Sequence, residues 1–157
     1  MIRAATSDDT DAIRALWNLA IRETLITFNS VEKTASEVAK AVTAYDAFFV
    51  AEVAGQVVGF AGYGDFRAGI GYAHTKEHTI MLAPEARGKG LGRKLMQAVE
   101  DHARAQLVHS MIAGVSASNP MGVPFHAAMG YVNVGVVPQA GRKFDQWHDL
   151  VLMQKLL

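Results

Sequence analysis

A mixed α/β domain is the fold class this sequence predicts, and three observations carry the prediction. Helix-period and strand-like apolar patterns alternate along the chain, two strand-like runs are joined by a two-residue turn, and the length of 157 residues suits one continuous core. Residues 1–157 are therefore expected to form a single domain. Half of the residues are hydrophobic and 19% are charged, a balance that favours a packed globule over disorder.

Residues 2–5 suit a short strand. Ser7 and Asp8 then offer helix caps before Ile13, Leu16, Trp17, Ala20 and Ile21, which recur at helical spacing. A weaker helical pattern starts at Thr34 or Ser36, runs through Val38 and Val42, and ends near Phe48 and Phe49. Residues 48–53 and 56–62 are β-favouring runs separated by Ala54 and Gly55, which predicts a hairpin. Residues 65–72 read as a loop and residues 74–82 as a strand ended by Pro84. Leu91, Leu95, Met96, Val99 and Ala103 form one apolar stripe, the clearest helix in the chain. Strands are expected at 111–115, 131–137 and 150–156, with a short helix at 125–129.

Fifteen basic and fifteen acidic residues cancel, so no global field draws the chain to nucleic acid or to an anionic membrane. The absence of cysteine excludes disulfides, thiolate metal sites and cysteine nucleophiles. The first residues lack the apolar core of a signal peptide, and no segment approaches about 18 uninterrupted apolar residues. A cytoplasmic protein is expected.

Arg87-Gly88-Lys89-Gly90-Leu91-Gly92 places three glycines at alternate positions just before the strongest helix. Glycine lets the backbone approach a ligand and turn free N–H groups outward. The helix dipole and the charges of Arg87, Lys89, Arg93 and Lys94 then favour a pyrophosphate, although the glycines alone are equally compatible with a solvated basic turn. The run is neither G-x-G-x-x-G nor a P-loop, so both of those nucleotide-binding readings fail. A nucleic-acid module using residues 87–94 is disfavoured by the neutral charge and the lack of aromatics nearby.

The loop resembles the R-x-x-G-x-G pattern of the GNAT acetyltransferases, matched by Arg87, Gly90 and Gly92 between an apolar strand and a long helix. Four further blocks, at 62–67, 76–79, 125–131 and 141–149, are similar to the phosphinothricin and methionine-sulfoximine acetyltransferase branch, so the resemblance spans nearly the whole chain. It implies a central mixed, mostly antiparallel sheet of six to seven strands flanked by about four helices. It also implies acetyl-CoA as co-substrate, held by Ile80, Met81, Leu82, Arg87, Gly88, Lys89, Gly90, Leu91, Gly92, Arg93 and Asn119. A homodimer follows from the resemblance alone, and no metal is expected.

The implied reaction is direct acetyl transfer to the amino group of a small amino acid or analogue: phosphinothricin, methionine sulfoximine or methionine sulfone. The runner-up acceptors are another small amine or a protein N-terminus. An α-amino group, with a pKa of about 8, is mostly ammonium at neutral pH and needs a base. Glu77 is the candidate, because a carboxylate in a strand otherwise rich in Thr75, Thr79, Ile80 and Met81 is expected beside a cleft; an exposed strand glutamate is the alternative. Backbone N–H groups at Ile80, Met81 and Leu82 are candidates for oxyanion stabilisation, and His126 or water for reprotonating the thiolate. The resemblance assigns Arg67 to an acceptor carboxylate, with Glu77, His78 and Thr79 beside it and Phe28 as an apolar wall. Lys143 and Trp147 belong to its tail block, with structural roles open for both.

Two features press against this picture. Pro120 and Pro124 fall where the last helix is expected, so that helix should begin near Val123 with Pro124 in its first turn, which puts a cofactor contact at Asn119 in question. His74-Thr75-Lys76-Glu77-His78 also matches the H-x-x-E-H zinc-hydrolase signature, which requires a helix. The β-branched threonines, the preceding Gly69 and Gly71 and the closing Pro84 favour a strand, with Glu77 facing away from the histidines.

Overall fold

The structure, a computed structural model, describes residues 1–157. Seven strands form one sheet in the order β1-β2-β3-β4-β5-β7-β6: β1 Ile2–Ala4, β2 Ala47–Val53, β3 Gln56–Asp65, β4 Thr75–Leu82, β5 Ser110–Ser116, β6 Val132–Lys143 and β7 Gln146–Leu156. Every neighbouring pair is antiparallel except β4 and β5, which are parallel and joined by helix α3, Leu91–Ala105. Helices α1 (Thr10–Glu23) and α2 (Ala35–Ala44) precede β2, and α4 (Gly122–Ala128) follows β5. This is the mixed, mostly antiparallel sheet with four helices that the sequence predicted. No helix is long and apolar enough to cross a membrane.

The sheet is covered on both faces. Ile13, Trp17 and Ile21 of α1 pack with Val38 of α2 on Phe48, Val50, Phe60 and Met81. On the opposite face the predicted stripe of α3, Leu95, Met96, Val99 and Ala103, packs on Ala51, Ala61, Tyr63, Met111 and Ala113. Side chains alternate along a strand, so β4 sends Glu77, Thr79 and Met81 toward α1 and α2, and His78, Ile80 and Leu82 toward α3 and α4. Glu100 of α3 is buried, and it takes its counter-charges from Lys155 of β7 at 2.6 Å and Arg104 at 3.3 Å.

Local differences from the sequence reading have local causes. Ser7 and Asp8 lie with Asp9 in a single 3₁₀ turn before α1, and the Asp9 carboxylate reaches back to the Thr6 N–H at 2.8 Å and accepts from Arg3 Nη1 and Nη2, each at 2.8 Å. Thr34, not Ser36, caps α2 through a reciprocal pair with Glu37. That helix stops at Ala44, before Phe48 and Phe49, which belong to β2. The Ala54-Gly55 turn has positive φ at both positions, as a hairpin turn requires. Strands β6 and β7 run well past the expected 131–137 and 150–156. They meet at Phe144 and Asp145, which adopt positive φ without any glycine to announce the turn, and β6 is interrupted by register shifts after Asn133 and Val137.

Candidate active site

β4 and β5 pair only through Thr75–Glu77 against Ser110–Ile112, and beyond that point the parallel strands separate. The opening is continuous with a cleft of about 1090 Å³ lined by residues 77–82 of β4, by Gly114, Val115 and Ser116 of β5, by the loop before α3, and by segments of α1, α2 and α4. Backbone groups on the β5 side of β4 are thereby turned to the opening; alternation along the strand puts the Ile80 and Leu82 N–H groups on that side, while the Met81 N–H faces its partner Phe60 in β3.

The glycine loop forms one wall. Gly88 and Gly90 have φ of 71° and 76°, a left-handed conformation that side chains resist, and Gly90 is the N-cap of α3. The Lys94 N–H makes the first helical bond, to Gly90 O at 3.2 Å, which leaves the N–H groups of Leu91, Gly92 and Arg93 without an intrahelical acceptor. No acidic residue occupies this turn. Gly92 is needed for space, since a Cβ there would stand 3.1 Å from Phe125 and 3.2 Å from Leu82. Free donors, a positive dipole end and Arg87, Arg93 and Lys94 together make an anion cradle. Arg87, Gly88, Gly90, Gly92, Arg93 and Asn119 all line the cleft.

Asn119 sits just before α4, with Oδ1 accepting from Met121 N–H at 3.3 Å. α4 starts at Gly122, so Pro124 lies in the first turn, where its missing N–H leaves no helical bond unmade.

On the face of β4 toward α1 and α2, the Glu77 carboxylate points into the cleft. Desolvation by burial is the influence on it, and it raises the pKa above the ordinary carboxylate range. Its sheet partners are Gly64 in β3 and Ile112 in β5, and two residues past Ile112 a Cβ on Gly114 would lie 2.9 Å from Glu77 Oε1. Phe28, Thr27, Tyr45 and Thr79 line the cleft on this side.

His78 was expected beside Glu77 and Thr79, but strand alternation turns its imidazole to the other face. There it meets His126, with the Nε2 atoms 3.1 Å apart. The His126 Nδ1–H donates to Gly122 O at 2.7 Å, so in the neutral ring Nε2 accepts from His78, and His78 Nδ1 is left buried without a partner. Burial pushes both rings toward the neutral form, His78 to about 3. Glu77 and His126 thus border the same cleft from opposite faces of the sheet.

Arg67 is exposed and lies outside this cleft, in a shallower depression with Gly69, Ile70, Ala73 and Lys76 that adjoins it at Asp65. The H-x-x-E-H segment is not helical: His74 lies in a turn and the strand begins at Thr75. His74 Nδ1 bonds Leu107 O at 2.9 Å while His78 faces His126, so the two imidazoles do not converge. Trp147 is exposed, with the Arg142 guanidinium 5.0 Å from its ring.

Sequence reasoning missed Tyr45, Gly64 and Gly114. Gly114 did leave a signal, since a glycine inside an apolar strand run marks a close approach. Tyr45 left none.

Residues 13–131 match the sequence profile described as Acetyltransferase (GNAT) family. The chain is 36% identical to the L-methionine sulfoximine/L-methionine sulfone acetyltransferase of Pseudomonas paraeruginosa, across 98% of this chain and 92% of the relative. It is 33% identical to the phosphinothricin N-acetyltransferase of Alcaligenes faecalis, across 99% and 82%. Among solved structures, yncA from Salmonella typhimurium with its cofactor acetyl-CoA superposes with a TM-score of 0.93 at 34% identity, over 100% of this chain and 93% of that one.

Proposed function

The chain belongs to the GNAT family and is an N-acetyltransferase that uses acetyl-CoA, and from that premise we propose that it acetylates the amino group of a small amino acid or analogue such as methionine sulfoximine, methionine sulfone or phosphinothricin. The observation that carries this reading is the Glu77 carboxylate, half-buried over Gly114 where the sheet opens and raised in basicity by that burial.

In the proposal acetyl-CoA supplies the thioester, with its pyrophosphate on the N–H groups and cations of residues 87–93 and its pantetheine arm along Ile80, Met81, Leu82 and Asn119. Glu77 takes the proton of the acceptor ammonium, through a water or directly. The freed amine adds to the thioester carbonyl to form the C–N bond, and collapse of the resulting oxyanion breaks the C–S bond while the nitrogen passes its second proton to water. The oxyanion is stabilised by a backbone N–H of Ile80 or Leu82, the two that face the open edge of β4, while the Met81 N–H is turned to β3. His126 has both ring nitrogens engaged and stays neutral, so reprotonation of the thiolate falls to water, with His126 as part of the wall. Phe28 and Thr79 bound the acceptor. Arg67 has no ion-pair partner within the chain and is free to meet the acceptor carboxylate at the rim.

Thiol release from acetyl-CoA across a panel of amino acids and analogues tests the reading. Turnover with α-amino acid analogues is expected, and silence toward every amine would sink it. Glu77→Gln is expected to lower kcat by roughly 10²- to 10⁴-fold; undiminished activity removes Glu77 as the base.

A homodimer is proposed on the same footing, supported by edge strand β6, which turns Val132, Val134 and Val136 to solvent. Sedimentation as a single chain at micromolar concentration would remove it.

A further inference from the structure

The β6–β7 hairpin carries a buried cation that has no carboxylate partner. Lys143, the last residue of β6, is 3% exposed, and its Nζ donates to three backbone carbonyls: Ala20 at 3.5 Å, Thr24 at 2.6 Å and Thr27 at 2.8 Å. An ammonium has three protons, so none is left for a ligand. Ala20 and Thr24 mark the C-terminal end of α1, where the dipole favours a cation; the Ala20 carbonyl also accepts from the Thr24 N–H at 3.2 Å and hydroxyl at 2.7 Å, so the shorter bonds, to Thr24 and Thr27, carry the tie. Thr27 lies in the irregular segment that follows and lines the cleft together with Ile26 and Phe28.

The same hairpin holds the next residue twice more. The Phe28 ring stacks on His148 with centroids 5.8 Å apart and planes 19° from parallel, and it occupies the space that a side chain on Gly141 would fill. His148 is itself fixed: its Nε2–H donates to Lys143 O at 2.9 Å, so the neutral ring's Nδ1 accepts from the Ser118 hydroxyl at 2.8 Å. Residues 24–28 thus have no regular structure of their own, and the hairpin grips them from three directions.

We propose that Lys143 is a positioning residue for the acceptor. By tying the Thr24 and Thr27 carbonyls to β6, it sets how far the Phe28 wall stands from Glu77, and so the width of the pocket the acceptor enters. The inference rests on the acceptor lying at this end of the cleft. Lys143 touches neither substrate in this account; its effect passes entirely through Phe28.

Lys143→Met keeps the stem and removes the donors. The acceptor KM is expected to rise by roughly ten- to a hundredfold, the scale of a misplaced binding group, while the KM for acetyl-CoA stays unchanged. Lys143→Arg, which restores a cation with donors, should recover part of that loss. Amide exchange at residues 24–28 should quicken in Lys143→Met while exchange in α3 does not.

A folded Lys143→Met variant with an unchanged acceptor KM overturns the proposal, and so does an equal rise in both KM values. If Lys143→Met fails to fold, Gly141→Ala displaces Phe28 from the other side, and an unchanged acceptor KM there overturns it equally. If no amine is acetylated, the acceptor reading itself has failed. Exchange at residues 24–28 then still decides the tie: faster exchange in Lys143→Met upholds it and an unchanged rate refutes it.

Discussion

At one end of the cleft, a single run of chain at residues 82–94 supplies the end of β4, the left-handed glycines and the first turn of α3. At the other end, Phe28, Tyr45, Gly64, Glu77, Gly114, Gly141, Lys143 and His148 arrive from seven separate stretches of chain. The first end works through backbone N–H groups, the dipole of one helix and the cations of that same run, so its chemistry depends little on side chains far away in sequence. The second works through side-chain burial and exclusion, and each residue there depends on others far away in sequence. A cofactor common to a family suits the former construction, and an acceptor that varies between relatives suits the latter.

The two ends should therefore fail separately, and a pair of glycine substitutions separates them most strongly. Gly114→Val fills the space occupied by the Glu77 carboxylate, since even a Cβ would stand 2.9 Å from Oε1. It is expected to lower kcat about a hundredfold, as loss of a general base does, with acetyl-CoA affinity retained. Gly90→Ala acts at the other end and meets no steric obstacle, because nothing lies within 4 Å of the added Cβ. Its penalty is the left-handed backbone alone, roughly 1–2 kcal/mol. That should raise the KM for acetyl-CoA by about tenfold and leave kcat at saturation near its original value. Steady-state kinetics with each substrate varied in turn reads both. If Gly114→Val weakens acetyl-CoA as much as it lowers kcat, the ends are not independent.

The same division explains what the sequence disclosed. Elements with a local signature were legible: the α3 stripe, the Ala54-Gly55 turn, the Thr34 cap and the glycine loop all depend on residues within one turn or one hairpin. Pro124 was legible too, because its missing N–H has a cost only inside a helix. The long β6–β7 hairpin was not, since its turn rests on Phe144 and Asp145 in conformations held by strand pairing rather than by glycine. At the site, the place of Glu77 beside a cleft was legible from its strand. The face of His78 was legible from strand alternation, which set Glu77 opposite the histidines, whereas the resemblance grouped His78 with Glu77 and Thr79 beside the acceptor. Lys143 was named without a role, because three carbonyls more than a hundred residues away define it.

The smallest expected effect is one of pH, and it also divides the ends. Burial holds the Glu77 pKa above the ordinary carboxylate range, and catalysis requires the ionised form, so kcat/KM for the acceptor should fall on the acid side through that raised value and the limb should vanish in Glu77→Gln. The imidazoles on the opposite face are displaced downward and stay neutral, so they add no limb near neutrality. Stability carries the opposite sign from activity. A carboxyl whose pKa is higher folded than unfolded binds its proton more tightly when folded, so its contribution is complete below the unfolded pKa and is lost as pH rises through the folded value. At neutral pH the Glu77 carboxylate therefore destabilises the fold, and Glu77→Gln should raise Tm slightly there, with the gain disappearing in acid. Thermal melts of both proteins across that range check it. A Tm gain that does not change with pH would mean that packing of the side chain, and not the desolvated charge, sets the difference, and the basicity attributed to Glu77 would lose its physical origin.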